Sequence, residues 1–390
     1  MDACDVLIVG GGPAGSSCAW KLSQAGFDVA VIDKQNFPRN KVCGGWITPA
    51  VLEELEIDPL EYARGRVLQP ITGFRTCAIG GREIETHYDA PVSYGIRRFE
   101  FDDYLLKRSR ARLFEGRALE ELTFSNGRWT VNGQIRTPML IGAGGTFCPV
   151  ARLLGAKVSR EAAVTAQEAE FQMDQRQLAR CSIRGEVPEL FFCPDMKGYG
   201  WCFRKANVLN VGLGRLDRRA LGVHVANFLR FLKRAGKLSF DLPQPPLGHA
   251  YLLYASTTRK IVDDGVLLIG DAAGVAYAQS GEGIRPAIES GLLAAQAVAA
   301  ARGDYTRERL ALYRDLMFRR FGSSEKHWAT GIGRRLPSEL VGFLGRRLLA
   351  TRWFAREVVL DRWFLRQGEP ALDLSLPRAL ENNYLVSSRS

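Results

Sequence analysis

The stretch Asp5-Val6-Leu7-Ile8-Val9-Gly10-Gly11-Gly12-Pro13-Ala14-Gly15 decides the fold. Residues 5–9 form a short apolar run that reads as a buried strand. The glycines then open a helix running to about Ala25, and Asp28 to Asp33 reads as a second strand. Because Gly10-x-Gly12-x-x-Gly15 follows a strand and opens a helix, the backbone can approach a pyrophosphate and present it to the positive helix N-terminus, beside Pro13 and Ala14. Asp33, followed by Lys34, ends the second strand where a carboxylate accepts hydrogen bonds from an adenosine ribose; the alternative is an ordinary surface aspartate. This β-α-β unit predicts a bound dinucleotide.

The rest of the 390 residues suits a cofactor domain with one or two additions. At 46% apolar and 24% charged, the composition is that of a globular protein rather than a disordered or fibrous one. No apolar run reaches the roughly 18 residues of a membrane span, and none reads as a signal peptide. The eight cysteines contain no CxxC pair, which argues against a zinc site or a disulfide framework and sets the expectation of a reducing cytoplasm. Lys and Arg outnumber Asp and Glu by 53 to 42, a balance that can signal anionic partners.

Short alternating pieces from Leu68 to Tyr94 and longer ones from Ala162 to Leu216 read as an antiparallel sheet inserted into the α/β domain. Between them, Arg98 to Leu113 reads as helix and Met139 to Ile141 as a strand ending at Gly142. Gly265 to Ile269 is a further strand. From Ile284 the pattern is helical, Ala-rich to Ala301 and then Arg-rich to about Gln367, with Pro370 and Pro377 breaking the tail.

The identity of the dinucleotide comes from these distant pieces. Leu268-Ile269-Gly270-Asp271-Ala272-Ala273-Gly274 follows a strand and resembles the motif by which flavoproteins of the para-hydroxybenzoate hydroxylase superfamily hold the ribityl chain of FAD. The resemblance gives Asp271 a ribityl hydroxyl. Ten residues on, Gly281-Glu282-Gly283-Ile284 opens a helix whose first amides could stabilise negative charge on a reduced flavin. Gly142-Ala143-Gly144-Gly145 followed by Arg152, and Arg98-x-x-Phe101-Asp102-x-x-Leu105, match the same superfamily, whose arginine lies near FAD. Gly144 stands where aspartate is commoner, which leaves it a tight-turn role. Arg39 and Lys41 could pair with the pyrophosphate or be solvated surface charges. No second glycine motif follows a strand, so a nicotinamide donor would dock transiently.

Asn40-Lys41-Val42-Cys43-Gly44-Gly45, Gly198-Tyr199-Gly200-Trp201-Cys202-Phe203 with Asn210-Val211-Gly212, and the Gly281-Glu282-Gly283 turn together resemble the geranylgeranyl reductase family, over residues 5 to about 300. The resemblance implies reduction of prenyl carbon-carbon double bonds by FADH2, with Cys43 beside the flavin. Arg204 stands where that family has proline. Tyr199 and Trp201 would line an apolar cavity, or be core aromatics on a strand. No proton donor is visible, and none of His87, His224, His249 and His327 sits in a flavin motif, so each reads as structural or superficial. The competing reading is oxygen chemistry, as in the hydroxylases and halogenases that share Phe37-Pro38-Arg39-like runs.

Between Arg334 and Arg366 eight arginines face three acids, interleaved with apolar residues at helical spacing from Leu340 to Leu365. These helices could lie on an anionic membrane or pack on the catalytic domain with solvated arginines. No nucleic-acid-binding module accompanies the charge. The expected architecture is α/β. A discontinuous Rossmann-like FAD-binding domain (1–67, 95–160, 255–303) carries an inserted antiparallel substrate sheet (68–94, 161–254) and a C-terminal helical region (304–390). The expected cofactor is FAD, fed by NAD(P)H or a reduced protein carrier, with no metal; the expected substrate is apolar and prenylated.

Overall fold

The structure is a computed structural model that describes residues 1–156, 163–217, 220–254, 259–322 and 338–375. Arg334, Arg335, His327 and Pro377 lie outside the described residues.

Six strands form the central sheet, in the order Val262–Asp263, Val266–Leu268, Met139–Gly142, Val6–Val9, Val29–Asp33, Arg112–Glu115. All neighbours run parallel except the first pair. Val6–Val9 is buried along its whole length, as a strand covered on both faces requires. The Pro13–Gln24 helix lies against the Ile284–Ala301 helix, and Gly291 lets them touch, since a Cβ there would collide with the Ala14 carbonyl. The Arg307–Phe321 helix adds Leu310, Tyr313 and Leu316 to the same core.

Two readings from sequence are corrected here. The helix from Arg98 ends at Arg108 rather than Leu113: Arg110 takes a left-handed φ of 57°, and residues 112–115 pair with Val29–Asp33 as a strand. Residues 68–94 do not enter one sheet. Leu68–Ile71 and Ser93–Ile96 join Trp46–Ile47 in a three-stranded sheet, and only Gly73–Ala78 and Ile84–His87 reach the larger one.

That larger sheet has seven strands, in the order Leu247–Leu252, Ala163–Gln172, Val208–Arg215, Gly198–Lys205, Glu189–Phe192, Gly73–Ala78, Ile84–His87. It is antiparallel except where Glu189–Phe192 runs parallel to Gly73–Ala78. One face packs on the Leu221–Arg234 helix, where a Cβ on Gly200 would stand 2.5 Å from the Phe228 ring. Registered cross-strand partners share a face, so the other face carries two rows: Tyr199, Gly214, Ala166, His249, and next to it Trp201, Gly212, Glu168, Leu247.

The C-terminal segment closes on that second face. Leu349, Val359, Leu360 and Phe364 join Phe74, Leu190, Phe192 and Trp201 in one apolar cluster. The Ser338–Leu349 helix turns Gly342 and Gly345 toward Pro194 and Met196 and leaves Leu340, Phe343, Leu344 and Leu348 exposed. No helix among the described residues is long and apolar enough to cross a membrane.

Candidate functional site

Gly10 leaves its strand with φ 116°, and a Cβ there would collide with the Ala143 carbonyl; one on Gly15 would collide with the Gly10 carbonyl. Only glycine lets these two loops and the first helical turn abut. Gly12 caps the Pro13–Gln24 helix without a side-chain hydrogen bond, which keeps the terminal amides available. Asp33 accepts hydrogen bonds from the amides of Gly11 (2.8 Å) and Gln35 (2.9 Å), and Lys34 is exposed beyond it. In the neighbouring loop Gly145, not Gly144, takes the left-handed φ of 76°, while Gly144 is pressed against Cys148. Arg152 is exposed.

Arg39 is not a solvated surface charge. Its Nη2 lies 3.2 Å from Asp102 Oδ2, its guanidinium stacks 4.7 Å from the Phe37 ring, and its buried Nη1 has no hydrogen-bond partner. A Cβ on Gly12 would stand 3.4 Å from Nη2 of the same guanidinium, so the guanidinium that carries the unpartnered Nη1 sits beside the N-terminus of the dinucleotide helix. Asp102, fully buried, also receives Arg98 in two parallel bonds of 2.6 and 2.7 Å. Arg98 is thus held by Asp102 and faces the Cys43 thiol.

Lys41, His249 and Asp271 meet from three distant segments. Lys41 Nζ is 3.0 Å from His249 Nδ1, and His249 Nε2 is 3.9 Å from Asp271 Oδ2. Asp271 lies in the short Gly270–Ala272 turn at the end of strand Val266–Leu268, with Gly270 at φ 59° tucked against Ala14. Burial, then the charges of Lys41 and Arg98, lower the His249 pKa to about 3, so the imidazole is neutral. Burial raises the Asp271 carboxyl, with Lys41 opposing. The structure thus brings half-buried His249 beside two residues of the flavin motifs, whereas His87 is exposed. No motif surrounds His249; sheet register brings it here.

The Gly281-Glu282-Gly283 turn precedes the Ile284–Ala301 helix, which Gly283 caps without a side chain. Gly281 has φ 70° and lies under the Tyr251 hydroxyl; Gly283 lies near Asp271. Tyr199 donates its hydroxyl to the Ser280 carbonyl at 2.5 Å, tying the sheet to the turn. The Cys43 loop is pinned to the same sheet. The Cys43 amide donates to Glu168, the Cys43 carbonyl accepts from Asn210 Nδ2 at 3.1 Å, and Gly45, at φ 64°, donates to Cys43 Sγ at 3.4 Å. A Cβ on Gly44 would reach the Phe203 ring at 3.3 Å. Trp201 Nε1 donates to Asn210 Oδ1 at 2.7 Å, and its indole lies across Gly212.

Tyr199 and Trp201 therefore stand on a strand, as core aromatics would, but on the face turned to the flavin motifs. Phe364 packs edge-on to Tyr199 at 5.3 Å and stacks on Trp46 at 5.4 Å, completing an aromatic wall. Sequence reasoning missed Glu168, Glu170, Lys205, His249 and Tyr251. The legible trace was two acids, Glu168 and Glu170, alternating on a strand that is otherwise largely apolar.

The residues present fit a flavin dinucleotide: a glycine cradle that a Cβ would fill, an orphaned Arg39 donor at its mouth, and two helix N-termini free of side-chain caps. A sequence profile of the FAD binding domain family matches residues 3–317. The chain belongs to that family and is an FAD-dependent oxidoreductase of its geranylgeranyl reductase-like group. It is similar to menaquinone reductase of Mycobacterium tuberculosis, 31% identical over 327 residues and 76% of each chain. It is also similar to digeranylgeranylglycerophospholipid reductase of Methanocaldococcus jannaschii, 26% identical over 334 residues, 80% of this chain and 81% of that one. In fold it is similar to a geranylgeranyl bacteriochlorophyll reductase-like protein of Thermoplasma acidophilum, with TM-score 0.70 at 23% identity over 98% of this chain and 96% of that one.

Proposed function

We propose that this chain saturates carbon-carbon double bonds in the prenyl tail of an apolar lipid. The observation that carries the reading is the aromatic wall of Trp46, Tyr199, Trp201 and Phe364, which closes the space between the Cys43 loop and the Gly281–Gly283 turn. Faces of this kind pack alkene carbons and exclude water. FAD, when bound and reduced, supplies the hydride. Gly10, Gly12, Pro13, Ala14 and Arg39 would hold its diphosphate. Asp33 would hold the ribose, and Lys41 with Asp271 the ribityl chain. The amides before Ile284 would stabilise negative charge on the reduced ring. The names of the relatives support the substrate class, since each denotes reduction of a prenyl-bearing lipid or a quinone with a prenyl tail.

Electrons reach the flavin from NAD(P)H or a reduced protein carrier that docks transiently. The enzyme works at the cytoplasmic surface of an anionic membrane, on the Ser338–Leu349 helix. The glycines of that helix face the protein, and Phe343, 46% exposed, and nearby Trp353, 64% exposed, stand among exposed Arg346, Arg347 and Arg352. Each basic residue near such a surface contributes about 1 kcal/mol.

The test is anaerobic. Protein reduced with dithionite is mixed with geranylgeranyl lipid while flavin absorbance and lipid mass are followed. Reoxidation with a gain of two hydrogens per bond is expected. Flavin that stays reduced until air is admitted, then passes through an oxygen adduct, would point instead to a monooxygenase or halogenase.

A further inference from the structure

Saturating an isolated double bond needs a proton as well as a hydride. We infer that Glu168 is the proton donor, a step that rests on the proposed alkene reduction. The geometry is threefold. Glu168 is buried on the second strand of the seven-stranded sheet, in register with Gly212 and, through it, with Trp201. Because Gly212 has no side chain, nothing stands between the Glu168 Cβ and the Trp201 indole; a Cβ on Gly212 would lie 2.7 Å from one and collide with the other. One carboxyl oxygen, Oε1, accepts the Cys43 amide and so fixes the carboxyl against the loop beside the flavin. The other, Oε2, is buried with no hydrogen-bond partner.

The surroundings keep that carboxyl able to carry a proton. Burial raises its pKa to about 7, against the Cys43 amide and the charge of Lys205, which lower it; Glu170 on the same strand raises it and Asn210 lowers it. Glu170 takes the ionised role, held down chiefly by Lys205 against its own burial, with Lys205 Nζ at 2.7 Å. Two acids two residues apart are thus pushed in opposite directions, Glu168 up to about 7 and Glu170 down, the usual signature of separate tasks.

In the step, the π bond of the alkene breaks. One carbon takes the proton from Glu168 Oε2 and the other takes a hydride from the reduced cofactor, which is oxidised by two electrons. Glu168 is left as carboxylate and recovers a proton from solvent. Glu282, half-buried in the Gly281–Gly283 turn, is also raised by burial, but its charged neighbours Arg285, Glu289, Arg366 and Glu369 form the ion-pair cluster that ties the Ile284–Ala301 helix to the C-terminal segment.

The experiment compares wild type, Glu168→Gln and Glu168→Asp as holoenzymes. Glutamine keeps an oxygen for the Cys43 amide but no acidic proton. Glu168→Gln should bind FAD with an unchanged absorbance spectrum and accept electrons from dithionite, yet be reoxidised by geranylgeranyl lipid about 100-fold or more slowly. Glu168→Asp should recover part of that rate. In infrared difference spectra of the holoenzyme without lipid, a protonated-carboxyl band should fade as pH rises through about 7 and be missing from Glu168→Gln. Reoxidation of Glu168→Gln at the wild-type rate, or a band unchanged by the substitution, overturns the assignment. If wild type itself is not reoxidised by the lipid, the alkene-reductase reading falls and the donor role falls with it, whatever the infrared band shows.

Discussion

Arg39 holds Asp102 at 3.2 Å through Nη2 while its other terminal nitrogen, Nη1, is buried without a partner. A guanidinium half satisfied and half orphaned at the mouth of a glycine-capped helix is poised for an anion. Arg39→Ala should weaken FAD binding by about 10- to 100-fold, on the order of 1.5–3 kcal/mol for a hydrogen bond to a charged group. Fluorescence titration of the apoprotein measures it, and unchanged affinity would remove Arg39 from the diphosphate site.

Gly15→Ala should yield colourless protein. The added Cβ would collide with the backbone carbonyl of Gly10, which cannot swing away as a side chain can. The expected cost is about 1–3 kcal/mol of stability with loss of bound flavin, read from the 450 nm absorbance of purified protein and its melting temperature.

Tyr199→Phe tests the tie between sheet and turn. It removes only the hydroxyl that Ser280 accepts, so FAD affinity should hold while turnover of prenyl lipid falls several-fold, since a hydrogen bond of this kind is worth about 1 kcal/mol. Equal losses in both quantities would mean the tie supports the cofactor rather than the substrate wall.

His249 gives the apoprotein an acid-labile step. Its folded pKa of about 3 lies below its ordinary 6.5, so between those values the unfolded chain binds more protons than the native one. Stability is therefore present above pH 6.5 and lost as pH falls toward 3, by on the order of a few kcal/mol. Glu282, raised by burial to about 8 from 4.5, acts in the opposite sense, its contribution fading as pH rises through 8. His249→Gln should flatten the acid limb of a melting-temperature profile and leave the alkaline limb in place.

Phe364→Ala should cost about 3–5 kcal/mol, because the ring is 1% exposed and touches Trp46, Phe192 and Tyr199. Urea unfolding measures the loss, and a change under about 1 kcal/mol would mean the C-terminal segment docks weakly.

What was legible in the sequence was whatever local chemistry demands. A strand, three spaced glycines and a proline must make a tight turn into a helix wherever they occur, and Asp33, Asp271 and the Gly281–Gly283 turn each announce themselves within a few residues. The misreadings have one physical origin. Leu113 continued the apolar spacing of the helix from Arg98, but pairing with Val29–Asp33, which no local pattern encodes, claimed residues 112–115 for the sheet. Residues 68–94 alternate alike throughout, so which sheet each piece joins was decided by distant partners. His249 and Glu168 are the same case at the site: each is unremarked in its own segment and acquires a neighbourhood only when four strands come into register.

The two main sheets are threaded through one another. Strands of the seven-stranded sheet at 73–87 come before the cofactor strands at 112–115 and 139–142. Its remaining strands, at 163–252, precede the last cofactor strands, at 262–268. On a ribosome, the seven-stranded sheet cannot be completed until the strand ending at Leu252 is free, nor the cofactor sheet until the strand ending at Leu268 is free, so most of the chain must wait in partly paired form. Fragments cut between the layers should not fold as halves, and free flavin during synthesis should raise yield by capturing the cradle as soon as it closes.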